Sequence, residues 1–186
     1  MYCEQSLKKY LDDLAARLPA PGGGSAAAMS AALGASLISM VLNFTIGKSK
    51  YAEYEKELKE MLVISEGLRN DFLRLVDLDV VAYQSRNVKE ALEVPLKVCR
   101  LTFEGIQLCP PLIKKGNVNL ISDVAVAAVL LESGFAAAYH NVEINLKSLN
   151  NASLTKKIRK EFVKKSKSIV KIRKETEVKV GKIIRG

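Results

Sequence analysis

Apolar positions recur three and four apart along most of this chain, and almost no stretch shows the period-two alternation of a half-buried strand. A first run, residues 4–18, carries Leu7, Leu11, Leu14 and Leu18 at helical spacing, and Pro19, Pro21 and three consecutive glycines then break it. Ser25 stands as the N-cap of a long apolar helix reaching about Thr45, with Gly47 as its stop. A third helix is predicted over 51–84, where Leu58, Met61, Leu62, Ile64, Leu68, Phe72, Leu75 and Val76 keep the helical period. Residues 88–108 read as a fourth, kinked or broken at Pro95. Cys109, Pro110 and Pro111 open a turn or a new helix, and Gly116 to Asn119 form a loop. Ser122 or Asp123 caps a second small-residue helix over 124–149. After a turn at Asn150 and Asn151, Ile158, Phe162, Ile169, Ile172 and Ile183 mark one apolar stripe on a final helix. The pattern predicts an all-α fold, a helical bundle around two long Ala-rich buried helices, formed as a single domain over 1–186 with a basic C-terminal helix at 155–186.

Composition narrows the class. At 186 residues and 48% hydrophobic content, the chain is long and apolar enough to bury a real core, which excludes disorder along its whole length. Aromatics are only 6% and Trp is absent, so Ala, Val, Ile and Leu must build that core. Three cysteines (Cys3, Cys99, Cys109) cannot complete a disulfide framework and read as reduced thiols. A single histidine, His140, argues against a zinc centre, so no metal site is expected. Residues 25–47 carry no charge and are long enough to span a bilayer. Their Ala, Ser, Gly and Asn content fits a closely packed buried helix better, so a cytoplasmic protein is expected.

The net charge of +9 sits almost wholly at one end. Residues 155–186 hold 13 of the 29 Lys and Arg and 3 of the 20 Asp and Glu, while the other 154 residues carry 16 basic and 17 acidic groups. Such a segment is a solvated helix face, an aid in drawing in an anionic substrate, or a nucleic-acid contact. The last is not favoured, because aromatic interleaving and known nucleic-acid motifs are missing.

Three groups of residues can carry chemistry. Pro21, Gly22, Gly23, Gly24 and Ser25 stand directly before a helix, where unpaired N–H groups and the positive end of the helix dipole suit a carboxylate, phosphate or oxyanion. The spacing matches neither a P-loop nor a dinucleotide fingerprint, and a plain flexible turn is the competing reading. Asp79 lies in an apolar helical run with Tyr83 four residues on, on the same face. A carboxyl among apolar neighbours has its pKa raised toward general acid or base work, although a solvated or helix-paired Asp remains open. Asp123 opens the second apolar helix as a cap, a ligand contact, or both. Asn43, Asn141 and Asn145 fall in or beside apolar helices, and Asn117 and Asn119 in the loop; such amides read a heterocycle edge or bond neighbouring backbone. No His lies near Cys99 or Cys109 in sequence, which disfavours a nucleophilic Cys.

Taken in order, Pro21-Gly-Gly-Gly-Ser25, Ser39-Met-Val-Leu-Asn-Phe-Thr45, Asp79-Val-Val-Ala-Tyr83, Gly116-Asn-Val-Asn-Leu-Ile-Ser-Asp123 and Asn141-Val-Glu-Ile-Asn145 resemble the cyclodeaminase/cyclohydrolase family of folate one-carbon metabolism. The resemblance covers about residues 11–149, and it implies an all-helical homodimer that binds a tetrahydrofolate derivative, with no further cofactor. The implied activity is formiminotetrahydrofolate cyclodeaminase (5-formiminotetrahydrofolate to 5,10-methenyltetrahydrofolate and ammonia) or methenyltetrahydrofolate cyclohydrolase. On this reading Asp79 and Asp123 are catalytic, and Pro21, Gly22, Gly23, Gly24, Ser25, Asn43, Tyr83, Asn117 and Asn145 bind substrate. Lys89 or the C-terminal lysines would meet the folate carboxylates. The alternative is a non-catalytic helical binding protein whose basic C-terminal segment contacts nucleic acid.

Overall fold

The computed structural model describes residues 1–186 and contains helices and no strand. Seven α-helices follow one another: α1 (Leu7–Ala15), α2 (Gly23–Asn43), α3 (Glu55–Gln84), α4 (Val88–Ile106), α5 (Cys109–Lys115), α6 (Ile121–Leu149) and α7 (Ala152–Arg185), with short 3-10 turns at Tyr2–Glu4, Ser49–Tyr54 and Val118–Leu120. The order of elements is the one that periodicity predicts, while several boundaries move. The first run shortens to nine residues, and the basic helix begins at Ala152. Cys109 starts a helix, as prolines in a first turn permit, because their missing N–H groups would have no partner there in any case.

α2 is the central element. It runs antiparallel to α3, as Ser25 bonds Val76 at one end and Ser39 pairs with Ser65 at the other. It also runs antiparallel to α6, and there small residues set the approach. A Cβ on Gly34 would stand 2.8 Å from Leu131 Cγ, and one on Gly134 would stand 3.1 Å from the Ala27 carbonyl, so neither position admits a side chain without separating the helices. α4 packs along α6, and α7 along the far side of α6, where Phe135, Tyr139 and Phe162 form one aromatic cluster. The buried stripe of α7 is Ile158, Phe162, Ile169, Thr176 and Val180; Ile183 lies 43% exposed, outside the stripe expected for it.

Both α2 and the segment Val118–Leu149 are long and apolar enough to cross a membrane, with mean hydropathy 1.7. They differ in cover: 61% of the most apolar window of α2 is buried in the bundle, against 39% for the second segment. The expectation of two buried helices therefore holds in part for both, more fully for α2 than for α6, since each keeps an open outer face.

Candidate active site

The turn before α2 leaves that helix without a cap of its own. The helix begins at Gly23, not after Ser25, and its N-cap is Gly22, which has no side chain to offer. The first four N–H groups of a helix lack intrahelical acceptors. The missing acceptor comes from α3: Asp79 Oδ2 accepts the Ser25 N–H at 2.9 Å, at the position an ordinary cap would serve. Gly24 makes this possible. A Cβ there would stand 2.1 Å from Asp79 Oδ1, so only glycine lets the carboxylate reach the helix end. Ser25 turns inward instead, its hydroxyl donating to the Val76 carbonyl and meeting Tyr10.

Burial raises the Asp79 carboxyl above its ordinary range, and the Ser25 N–H pulls it part of the way back. The neighbouring Asp77 does a different job on the same helix: it accepts the Tyr2 N–H at 2.6 Å and holds the N-terminal turn against α3. Asp79 faces a cavity of about 340 Å³ whose walls include Gly22, Gly23, Gly24, Tyr83, Asn141 and Asn145. Pro21 is buried beneath this loop, joined to Ala20 by a cis peptide bond.

Of the two roles open to Asn145, heterocycle edge or backbone partner, the structure shows the second, and the backbone it bonds belongs to another helix. Pro95 lies inside α4 and lacks the N–H that would bond the carbonyl of Ala91. The Asn145 side-chain amide supplies that hydrogen bond across the bundle, at 2.6 Å to the Ala91 oxygen. Ala91 and Asn145 then form adjoining parts of the cavity wall. The signal was present in the sequence, since a proline within a helix always leaves a carbonyl four residues back in need of a donor.

The remaining candidates lie elsewhere. Asp123 occupies the first turn of α6, which starts at Ile121 with no side-chain cap, so the expected capping bond is absent. From Asp123 to Asn141 is about five helical turns and about 27 Å of rise, so Asp79 and Asp123 do not share a cavity within one copy of the chain. Asn43 is exposed at the C-terminal end of α2. Asn117, buried beside it, donates from its side chain to the Phe44 carbonyl, accepts from Asn119 N–H, and donates its own N–H to Thr45 Oγ1. Its polar atoms are engaged in clasping the end of α2, not in facing a ligand. Lys89 lines a separate cavity of about 580 Å³ between α4 and α7, together with Arg100, Lys157 and Glu161. Burial pushes the Cys99 and Cys109 thiols up to about 12, which leaves both inert near neutral pH. His140 is exposed.

Residues 6–86 and 85–164 match the family model described as formiminotransferase-cyclodeaminase. The chain belongs to this family. Among its relatives, a methenyltetrahydrofolate cyclohydrolase of Methylorubrum extorquens is 38% identical over 181 residues, covering 85% of this chain and 87% of that protein. A formimidoyltransferase-cyclodeaminase of Rattus norvegicus is 30% identical over 84% of this chain, which spans 33% of that longer protein. The crystal structure of a formiminotetrahydrofolate cyclodeaminase from Thermotoga maritima superimposes with a TM-score of 0.82 at 28% identity, covering 98% of this chain and 97% of that one. The formiminotransferase-cyclodeaminase match ends within α7, and residues 165–185 of that helix lie beyond it.

Proposed function

We propose that this chain is a homodimeric methenyltetrahydrofolate cyclohydrolase in which Asp79 moves the protons. The observation that carries this reading is the Asp79 carboxylate, held at the N-terminus of α2 by Ser25 N–H and bordering the glycine-lined cavity. Methenyltetrahydrofolate is an amidinium cation at the bridging carbon. Asp79 as carboxylate attracts that cation and takes a proton from the water that adds to it. The tetrahedral adduct then collapses: the C–N5 bond breaks, the proton on Asp79 goes to N5, and the adduct hydroxyl loses its proton to solvent as the formyl C=O forms. One water is consumed and one proton is released. A carboxyl with a raised pKa suits both halves, because burial makes it a stronger proton acceptor and it can then return the same proton to N5. No atom changes oxidation state, so acid–base chemistry suffices and the folate substrate is the only organic group invoked. Tyr83, 59% exposed on the cavity rim, offers a flat surface for the p-aminobenzoyl ring. Gly23 and Gly24 leave their first-turn N–H groups open to a polar edge of the pterin.

A second reading is cyclodeamination of 5-formiminotetrahydrofolate, favoured by the close superposition with the Thermotoga maritima cyclodeaminase. There N10 attacks the protonated formimino carbon, a proton passes from N10 to the departing amine, and ammonia leaves. The same carboxylate can relay that proton. The non-catalytic, nucleic-acid-binding alternative is not favoured by these relatives.

One ultraviolet assay separates the readings. Purified protein is given 5,10-methenyltetrahydrofolate and, separately, 5-formiminotetrahydrofolate, and the methenyl chromophore is followed. Loss of chromophore from the first above the uncatalysed rate is the expected result. Its appearance from the second, with ammonia, assigns the cyclodeaminase. Silence on both rejects the proposal.

A further inference from the structure

α7 keeps two unlike sides apart. Ile158, Phe162, Ile169 and Val180 are buried against the bundle. The opposite edge is a line of cations. Lys156, Lys160, Lys164, Lys167, Lys171 and Lys174 follow one another at steps of three or four residues, and after Val178 the line resumes with Lys182 and Arg185. Every one of these positions is exposed. Steps of three and four together match the helical repeat, so between Lys156 and Arg185 the line drifts by only about 20° and stays on one edge for about 44 Å. Of the 13 basic residues in 155–186, eight stand on this edge, and none of the 3 acidic ones does. Five of the eight lie beyond residue 164, where the formiminotransferase-cyclodeaminase match ends.

The ion pairs follow the same division. Off the line, Arg159 pairs with Glu143, Lys165 with Glu161, and Arg173 with Glu132 and Glu177. On the line, only Lys171 approaches a carboxylate, Glu175 at 3.8 Å. The other seven cations pair with no acidic residue. Like charges four apart repel along a helix, and a merely solvated helix face interleaves the two signs. The line therefore works against the helix that carries it, and an anion outside the chain is what would offset it.

Its shape selects the kind of anion. The line is straight and backed by the bundle, so a plane meets it along its whole length. Duplex phosphates lie on two winding ridges separated by grooves, and a straight rod meets them over only part of that length. Single strands are held by stacking on aromatic side chains, and the sole aromatic of α7, Phe162, is buried. Seven of the eight cations are Lys. Lys is a hydrated point charge, whereas the planar fork of Arg is what grips single phosphates in pairs. A plane of anionic lipid headgroups attracts rows of about four to eight basic residues on one helix. Val178, within the line, is 56% exposed and is the one apolar group that such a plane would press on.

We propose that α7 is a docking surface for an anionic lipid bilayer, with its lysine edge lying flat on the phosphate headgroups and Val178 at the headgroup–acyl boundary. The contact is peripheral and mainly electrostatic. It uses no residue that lines the Asp79 cavity, so it stands apart from the folate reading.

Flotation with vesicles of phosphatidylcholine alone, or of phosphatidylcholine and phosphatidylglycerol in equal parts, tests this. The protein is expected to float with the anionic vesicles only. It should be released as ionic strength rises from about 0.01 M to about 1 M and the screening length falls from about 30 Å to about 3 Å. Lys160→Gln, Lys164→Gln, Lys167→Gln and Lys171→Gln combined should keep the helical circular dichroism and weaken vesicle binding about 10³-fold, at about fivefold for each lysine. Absence of binding to anionic vesicles, equal binding to neutral ones, or undiminished binding by the combined variant overturns the proposal. A second readout locates the contact. The chain has no Trp, so Val178→Trp reports on this edge alone. Its emission is expected to shift to the blue on anionic vesicles and to be quenched by brominated acyl chains, while Val63→Trp on α3, at a position 75% exposed, stays unchanged. Vesicle binding without that shift at Val178→Trp overturns the proposal. Duplex DNA or single-stranded RNA that binds the lysine edge more tightly than anionic vesicles at the same salt assigns it to nucleic acid and overturns the lipid reading.

Discussion

The two ends of α2 are stabilised by opposite means. At its N-terminus a carboxylate from another helix accepts the Ser25 N–H. At its C-terminus a neutral amide, Asn117, is folded into the loop and closes on Phe44 and Thr45. In sequence both ends look alike, a glycine and small polar residues beside an apolar helix. The difference lies in what remains available. Asp79 spends one oxygen on the cap and keeps a charge that burial makes costly, beside a cavity. Asn117 has used its side-chain oxygen and nitrogen within the protein. A residue that completes its hydrogen bonds at home is scaffold, and one that is over-raised in energy and only partly satisfied can do chemistry.

The largest effect is expected at the first end. Asp79→Asn keeps an acceptor for Ser25 N–H but cannot take a proton, so turnover should fall roughly 10²–10⁴-fold in the chromophore assay. Its stability should not fall at neutral pH. Burial raises the folded pKa of Asp79, so its contribution to stability is greatest below the unfolded pKa and declines as pH rises through the raised folded value. The Asn variant loses that decline, and denaturant midpoints measured across pH will show it. In the wild type, the acid limb of the rate profile should fall above the ordinary Asp range of about 3.9, because the base is the unprotonated carboxylate.

Gly24→Ala tests the same end sterically. The added carbon must displace the carboxylate that would lie 2.1 Å away. A loss of about 1–3 kcal/mol is expected from overpacking, together with a fall in kcat. Unchanged turnover would mean that the contact between Asp79 and the helix end is dispensable. Asn117→Ala probes the opposite end and should cost about 1–3 kcal/mol by leaving the Phe44 carbonyl without its donor, read as a shifted denaturation midpoint. The smallest effect belongs to α7. Arg159 pairs with Glu143 on the surface, where the Arg side chain is 55% exposed and water screens the pair, so Arg159→Ala should leave the denaturation midpoint almost unmoved.

The order of helices was legible from apolar periodicity because every helix buries one stripe on the same core. Starts and stops were less legible. α2 begins at Gly23 because its cap arrives from residue 79, and no local reading of Ser25 could reveal that. Motif order alone joins Asp79, Tyr83, the glycines, Asn145, Asn43, Asn117 and Asp123 into one candidate site. The structure gathers Asp79, Tyr83, the glycines and Asn145 around one cavity, whereas the lengths of α2 and α6 carry Asn43, Asn117 and Asp123 to the far end. Motif order records which segments matter to a site, and helix length decides which of them meet within one chain.

Pro95 and Asn145 show a further consequence. The proline withholds a proton from the Ala91 carbonyl, and the asparagine amide restores it from another helix. The two positions are therefore energetically coupled: replacing Asn145 alone strands a carbonyl in the cavity wall, whereas replacing Pro95 with Ala as well supplies a backbone donor and spares the wall. A double-mutant cycle on Pro95 and Asn145 should be strongly non-additive, and lineages of this fold should gain or lose the pair together.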